Sequence, residues 1–140
     1  MVISIGQGGR AMNYKKIIVA LGVVLLLVGC TSRPIVNVTD QPVVAAEGKQ
    51  LTADQVRNAI VSAGNALGWV MTPVSPGQVS GRLLLREHVA VVDVRYAAKT
   101  YSITYKDSTN LNYRDGQIHK NYNGWIENLD REIRNELLRM

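Results

Sequence analysis

Val79-Ser-Gly-Arg-Leu-Leu-Leu-Arg-Glu-His-Val-Ala-Val-Val-Asp-Val-Arg-Tyr-Ala-Ala-Lys-Thr-Tyr-Ser-Ile-Thr-Tyr105 is the stretch that decides the fold. Apolar and polar residues alternate along it with period two, the signature of half-buried strands. In Val79–Arg86, Val79, Leu83 and Leu85 alternate with Ser80, Arg82 and Arg86. In His88–Tyr96, Ala90, Val92, Val94 and Tyr96 share one face. In Tyr101–Tyr105, Tyr101, Ile103 and Tyr105 oppose Ser102 and Thr104. The connections at Arg86-Glu87 and Ala97–Thr100 are too short for a crossover, so the three strands form an antiparallel meander. Trp69–Thr72 ends at Pro73, which suits a fourth, edge strand, and Ser75-Pro76-Gly77 is turn chemistry.

Outward from this sheet the period changes. Thr52-Ala-Asp-Gln55 is a capping box, and Val56, Ile60, Ala63 and Leu67 follow at helical spacing. Gly68 supplies a stop, giving a first helix over 53–67. A last helix spans about Gln117 to Leu138, with Ile118, Tyr122, Trp125, Ile126, Leu129, Ile133 and Leu137 as its apolar stripe. Glu127–Arg131 and Asp130–Arg134 are favourably ordered i,i+4 pairs on the other side. The fold class expected is α+β: an antiparallel three- to four-stranded meander with an N-terminal and a C-terminal helix on one face. The other face would carry the polar strand residues and could receive a partner.

The chain has 140 residues, 46% apolar and 19% charged, enough for one domain and too apolar for disorder. The formal charge of +5 is concentrated at the front. Arg10, Lys15 and Lys16 lie in residues 1–29, which hold no acid, and the remainder carries 13 basic and 11 acidic residues. A nucleic-acid binder needs its excess charge on the folded part, so no nucleic-acid partner is expected. One cysteine excludes both a disulfide framework and a thiolate zinc site within the chain.

Lys15 and Lys16 precede an unbroken apolar run from Ile17 to Gly29. Those 13 residues rise only about 20 Å as a helix, short of a ~30 Å hydrocarbon core, so the run reads as an export signal. Counted from Met12 the signal has the usual length, which makes Met12 the suspected true start. Gly6-Gln-Gly8-Gly9 lacks the Lys-Ser/Thr of a phosphate loop.

Leu27-Val28-Gly29-Cys30 resembles the lipobox of bacterial lipoproteins. The resemblance implies recognition of Leu27, Val28 and Gly29 by a signal peptidase, cleavage before Cys30, and diacylglyceryl and palmitate-type acyl chains on Cys30. Thr31, rather than Asp, after the cysteine points to the outer membrane, periplasmic face, with the inner membrane as the alternative. Each buried methylene contributes about 0.8 kcal/mol, so two or three acyl chains hold firmly. The domain plan is then residues 1–29 as signal peptide, 30–50 as lipidated cysteine and flexible tether, and 51–140 as a small α+β domain. As a coil, 20 residues span roughly 25 Å. The valines at 36, 38, 43 and 44 leave open a short strand docked on the domain.

His88 and His119 occupy none of the close metal-binding spacings, so no metal or cofactor is expected. None of Ser62, Ser75, Ser80, Ser102 and Ser108 lies in Gly-x-Ser-x-Gly, and no catalytic residue is assigned. Asp107–Gly116 is long for a strand-to-helix connection, and it combines amides, a guanidinium and a tyrosine ring. Asn110, Tyr113, Arg114, His119 and Asn123 form the candidate binding patch, suited to a glycan or an envelope protein. The bland alternative is that the Asn and Asp residues stabilise turns through their own backbone.

Tyr101-Ser-Ile-Thr-Tyr105, Ser108-Thr-Asn-Leu-Asn-Tyr113 and Ile118-His-Lys-Asn-Tyr-Asn123 with Trp125-Ile126 are similar to a family of small uncharacterised proteobacterial lipoproteins. The likeness covers roughly Gly81 to Leu138 and the lipobox, and Gly124 stands where that pattern has a longer, often basic residue. It implies no established activity. The function expected is a lipid-anchored envelope protein whose domain binds or scaffolds. The alternative is an enzyme acting on envelope material such as peptidoglycan or peptides.

Overall fold

The computed structural model describes residues 31–140. The signal segment and Cys30 lie outside the described residues. The elements run β1 (Ser32–Pro34), β2 (Val38–Pro42), α1 (Ala53–Ala66), β3 (Val70–Ser75), β4 (Gln78–Leu85), β5 (His88–Tyr96), β6 (Thr100–Thr109), β7 (Gln117–His119) and α2 (Lys120–Arg139). The fold is α+β: a five-stranded antiparallel sheet of order β2-β6-β5-β4-β3, a two-stranded sheet β1-β7, and two helices packed together.

The meander forms where alternation places it. Val79 faces Val94, Gly81 faces Val92 and Leu83 faces Ala90 across β4–β5, and Val94 faces Ile103 across β5–β6. All are buried, and the apolar side chains among them make one core with Val56, Ile60, Ile126, Leu129 and Ile133 of the helices. Both helices therefore cover the same face. β6 runs four residues beyond the expected Tyr105, because a bulge keeps it in pairing. Val92 faces Tyr105 and Val91 faces Asp107, so Lys106 is the extra residue, and its ammonium sits 3.6 Å from Asp93 Oδ1. The open face is less polar than expected: Val70 and Leu84 are more than half exposed there, beside Ser80, Arg82 and Asp93.

The capping box closes in both directions. Gln55 N–H donates to Thr52 Oγ1 at 3.2 Å, and Thr52 N–H donates to Gln55 Oε1 at 2.9 Å. α1 ends as expected, with Gly68 in the left-handed region at φ +85°. On α2, Asp130 pairs with Arg134 at 3.1 Å, whereas Arg131 turns to Asn128 rather than Glu127. Asp130 also accepts from the buried Tyr101 hydroxyl at 2.6 Å, tying β6 to α2. Burial and this carboxylate push the Tyr101 phenol above its ordinary range. Trp125 is half-buried at the core margin, tilted beside His88, while Trp69 is the buried tryptophan.

β3 runs through Pro73 to Ser75 instead of ending at Pro73, its register shifting between those two residues, and two further segments differ from the sequence reading. Residues 32–34 and 38–42, read as part of a flexible tether, are strands. β2 pairs with β6, Val38 opposite Ile103 and Pro42 opposite Thr100, and becomes a sheet edge. β1 pairs with β7, Ser32 opposite His119 and Pro34 opposite Gln117. The docked strand that the valines left open thus exists, and the folded unit begins at Ser32. The last helix starts at Lys120 instead of Gln117, because Gln117–His119 pair with β1. Asp115 (φ +50°) and Gly116 (φ +74°) turn the chain back there, with Arg114 bridged to Gln117, as a two-residue turn with both central residues left-handed requires.

α1 approaches the sheet over Met71. A methyl placed on Gly64 would collide with Met71 Sδ and Cγ, and one on Gly81 would meet Met71 Sδ at 3.1 Å. Gly124, in α2, has open space around it. Gly64→Ala is expected to lower stability by about 1–3 kcal/mol through overpacking. Gly124→Ala should raise it by about 0.5–1 kcal/mol through helix propensity. Urea titration of the two variants checks both signs.

Candidate recognition patch

The 110–116 loop is shaped by residues that tolerate left-handed backbone: Asn110 (φ +58°), Asn112 (φ +52°) and Asp115 (φ +50°). It is also tied down. Asn110 Nδ2 donates to Glu87 O at 2.8 Å, and His88 Nδ1 lies 2.7 Å from Asn110 O. A carbonyl only accepts, so His88 carries its proton on Nδ1 in this arrangement. Leu111 is buried, and its carbonyl accepts from His119 N–H at 2.8 Å. The loop is thereby fastened to the β4–β5 turn on one side and to β7 on the other.

The five candidate residues divide by what their polar groups do. Asn110 spends its amide and carbonyl on the β4–β5 turn. His119 is the N-cap of α2, its Nδ1 accepting from Asn121 N–H at 3.3 Å. Asn123 grips the N-terminal segment in both directions: its Oδ1 accepts from Val36 N–H at 3.0 Å and its Nδ2 donates to Pro34 O at 2.9 Å. These three side chains hold structure together.

Tyr113 and Arg114 face outward. Tyr113 is 48% exposed and stacks on Tyr105 with ring centroids 4.4 Å apart at 22°. Tyr105 in turn meets Tyr122 edge-on at 5.7 Å, and its hydroxyl is 2.9 Å from Ser108 Oγ. Arg114 and Asp115 are both almost fully exposed, with Nε 3.7 Å from Oδ2, so their mutual attraction is largely screened. The pair Tyr113–Arg114 offers a flat apolar ring and a guanidinium on a rigid mount, which suits a polar or glycan partner.

Tyr122 is completely buried, and its hydroxyl has no protein hydrogen-bond partner. Desolvation, with the Tyr105 phenol close by, pushes its pKa above the ordinary range. Sequence reasoning missed two further features. A cleft of about 380 Å³ lies between the start of α1 and the β3–β4 turn, lined by Asp54, Arg57, Pro73, Val74, Pro76 and Tyr96. A smaller one of about 190 Å³ is lined by Val43, Lys49, Leu51 and Lys99. Pro-rich turn chemistry at 73–77 was visible, but its approach to α1 is a tertiary fact without a local signal. Among the described residues no group of three or more His, Cys, Asp and Glu side chains could hold a metal ion. Among them, too, no helix is long and apolar enough to cross a membrane.

Comparison with family models, with curated proteins and with solved structures finds no match.

Two stability measurements separate the roles. Asn123→Ala removes two hydrogen bonds and should cost about 1–2 kcal/mol, with faster exchange of the Val36 amide. Tyr113→Ala with Arg114→Ala should cost no more than the stack, about 0.5–1.5 kcal/mol. Tyr122→Phe deletes a buried hydroxyl that has no protein partner, and is expected to be neutral or stabilising by up to about 1 kcal/mol. A loss above that size would show that the hydroxyl is satisfied in solution.

Proposed function

We propose that the chain is a lipid-anchored cell-envelope protein, attached through acyl chains on Cys30 to the periplasmic face of the outer membrane. The observation that carries this reading is the order Lys15-Lys16, an apolar run to Gly29, and then the single cysteine of the chain. The small domain acts as a binding or scaffolding module for an envelope protein or a glycan rather than as an enzyme. Support for binding comes from Tyr113 and Arg114, exposed on a loop that Asn110 and the turn at 115–116 hold in place. The start of the folded unit at Ser32, directly behind the cysteine, is consistent with an anchor at that end.

The test is Cys30→Ser. Metabolic labelling with a palmitate analogue should be lost, and the exported protein should leave the membrane fraction for the soluble one. Unchanged labelling and fractionation would overturn the anchor.

A further inference from the structure

The geometry points to a membrane-docking face: the end of the domain formed by β1, β7 and the β4–β5 turn rests on the phospholipid headgroup layer. This inference rests on the reading of Cys30 as the acylated residue.

Reach is the first argument. Two peptide units join Cys30 to Ser32, so their Cα atoms lie within about 7 Å of each other. Ser32 is fixed opposite His119 at the start of α2. A 20-residue coil would have let the domain stand off, but residues 32–34 and 38–42 are spent in strands. An acyl chain entering the bilayer at Cys30 therefore brings this end of the domain to the surface.

The second argument is the distribution of exposed apolar groups. β5 runs from His88 to Tyr96, roughly 30 Å at strand rise, and separates two ends of the sheet. At the His88 end lie the exposed Leu84, Leu85 and Val36. Asn110 joins the Tyr113 loop to the β4–β5 turn, and Asn123 joins the Val36 segment to α2. At the Tyr96 end Val44 and Val74 are exposed too, set among the small and polar residues of the turns at Gly77 and Ala97–Thr100. Two adjacent exposed leucines at the β4–β5 turn suit the headgroup boundary.

Charge is the third. Around Ser32 and the β4–β5 turn, Arg33, Arg86 and Lys120 are exposed, against Glu87. The excess is basic, although the domain as a whole is nearly balanced, and it complements an anionic lipid surface. The partner is thus a bilayer containing anionic phospholipid.

The experiment uses the acylated protein in vesicles of phosphatidylethanolamine with a minority of phosphatidylglycerol. Because acylated Cys30 has no free thiol, an introduced cysteine is the one labelled. An environment-sensitive fluorophore is placed by Gln117→Cys at the proposed face and by Ala97→Cys at the far end, with Leu85→Cys as a second probe of the proposed face. A headgroup-linked quencher should reduce emission at 117 and at 85 severalfold more than at 97. Equal quenching, or stronger quenching at 97, overturns the docked face. The mass of the same preparations reports the anchor separately. An acylated chain with equal quenching loses the docked face and keeps the anchor, whereas a chain without acyl groups overturns both.

Discussion

Met71 fills the space that Gly64 on α1 and Gly81 on β4 leave open, and that contact sets how closely the first helix can lie on the sheet. The neighbouring positions are small as well: Ala59 and Ala63 on α1 and Ala90 on β5 are all fully or almost fully buried. A larger residue at any of these points would lift α1 and open a void beneath it, because interiors are packed to the density of organic crystals. With α1 seated low, α2 can pack beside it on the same face, burying Ile126, Leu129, Ile133 and Leu137. The N-terminus of α2 then lies where the 110–116 loop, β7 and the N-terminal segment meet. The geometry of the candidate patch thus depends on a methionine on the far side of the core.

Much of this was legible in the residues. Alternation alone places β5 at His88–Tyr96, and Thr52 and Gln55 mark the cap of α1, because these features depend on local alternation and local hydrogen bonding. β7 was not legible, for a definite reason. Ile118 lies four residues before Tyr122, so it satisfies the helical stripe as well as it fits a strand position facing the core. Periodicity cannot decide between them, and the deciding factor is a strand 85 residues earlier in the chain. β1 and β2 were obscured by shortness and by Pro34 and Pro42, which mark edges as readily as linkers. Within the patch, residue type was informative and role was not. An asparagine that grips Pro34 and Val36 looks in the sequence like one that offers its amide to a ligand.

Buried polar chemistry is unevenly resolved in the core. The Tyr101 hydroxyl is matched by Asp130, which is itself held by Arg134, so a phenol, a carboxylate and a guanidinium form one chain from β6 across to the outer side of α2. Tyr122, linked to Tyr113 only through Tyr105, has no such partner. Both phenols have raised pKa values, so the folded state holds protons that the unfolded chain releases near pH 10. Their contribution is present at neutral pH and is lost as the pH rises through and beyond that value, with a slope of at most about 2.7 kcal/mol per pH unit for two groups.

The strands contributed by residues 32–42 have a consequence for the order in which the molecule assembles. They are the first described residues to be synthesised, yet their partners on β6 and β7 are among the later ones. Closing such long loops comes late, once the meander and its helices exist to receive them. Until then β6 is an uncovered edge, with backbone donors and acceptors open to any other extended chain. The segment nearest the cysteine is therefore also the molecule's own guard against pairing with its neighbours, and it takes up that post only at the end of folding.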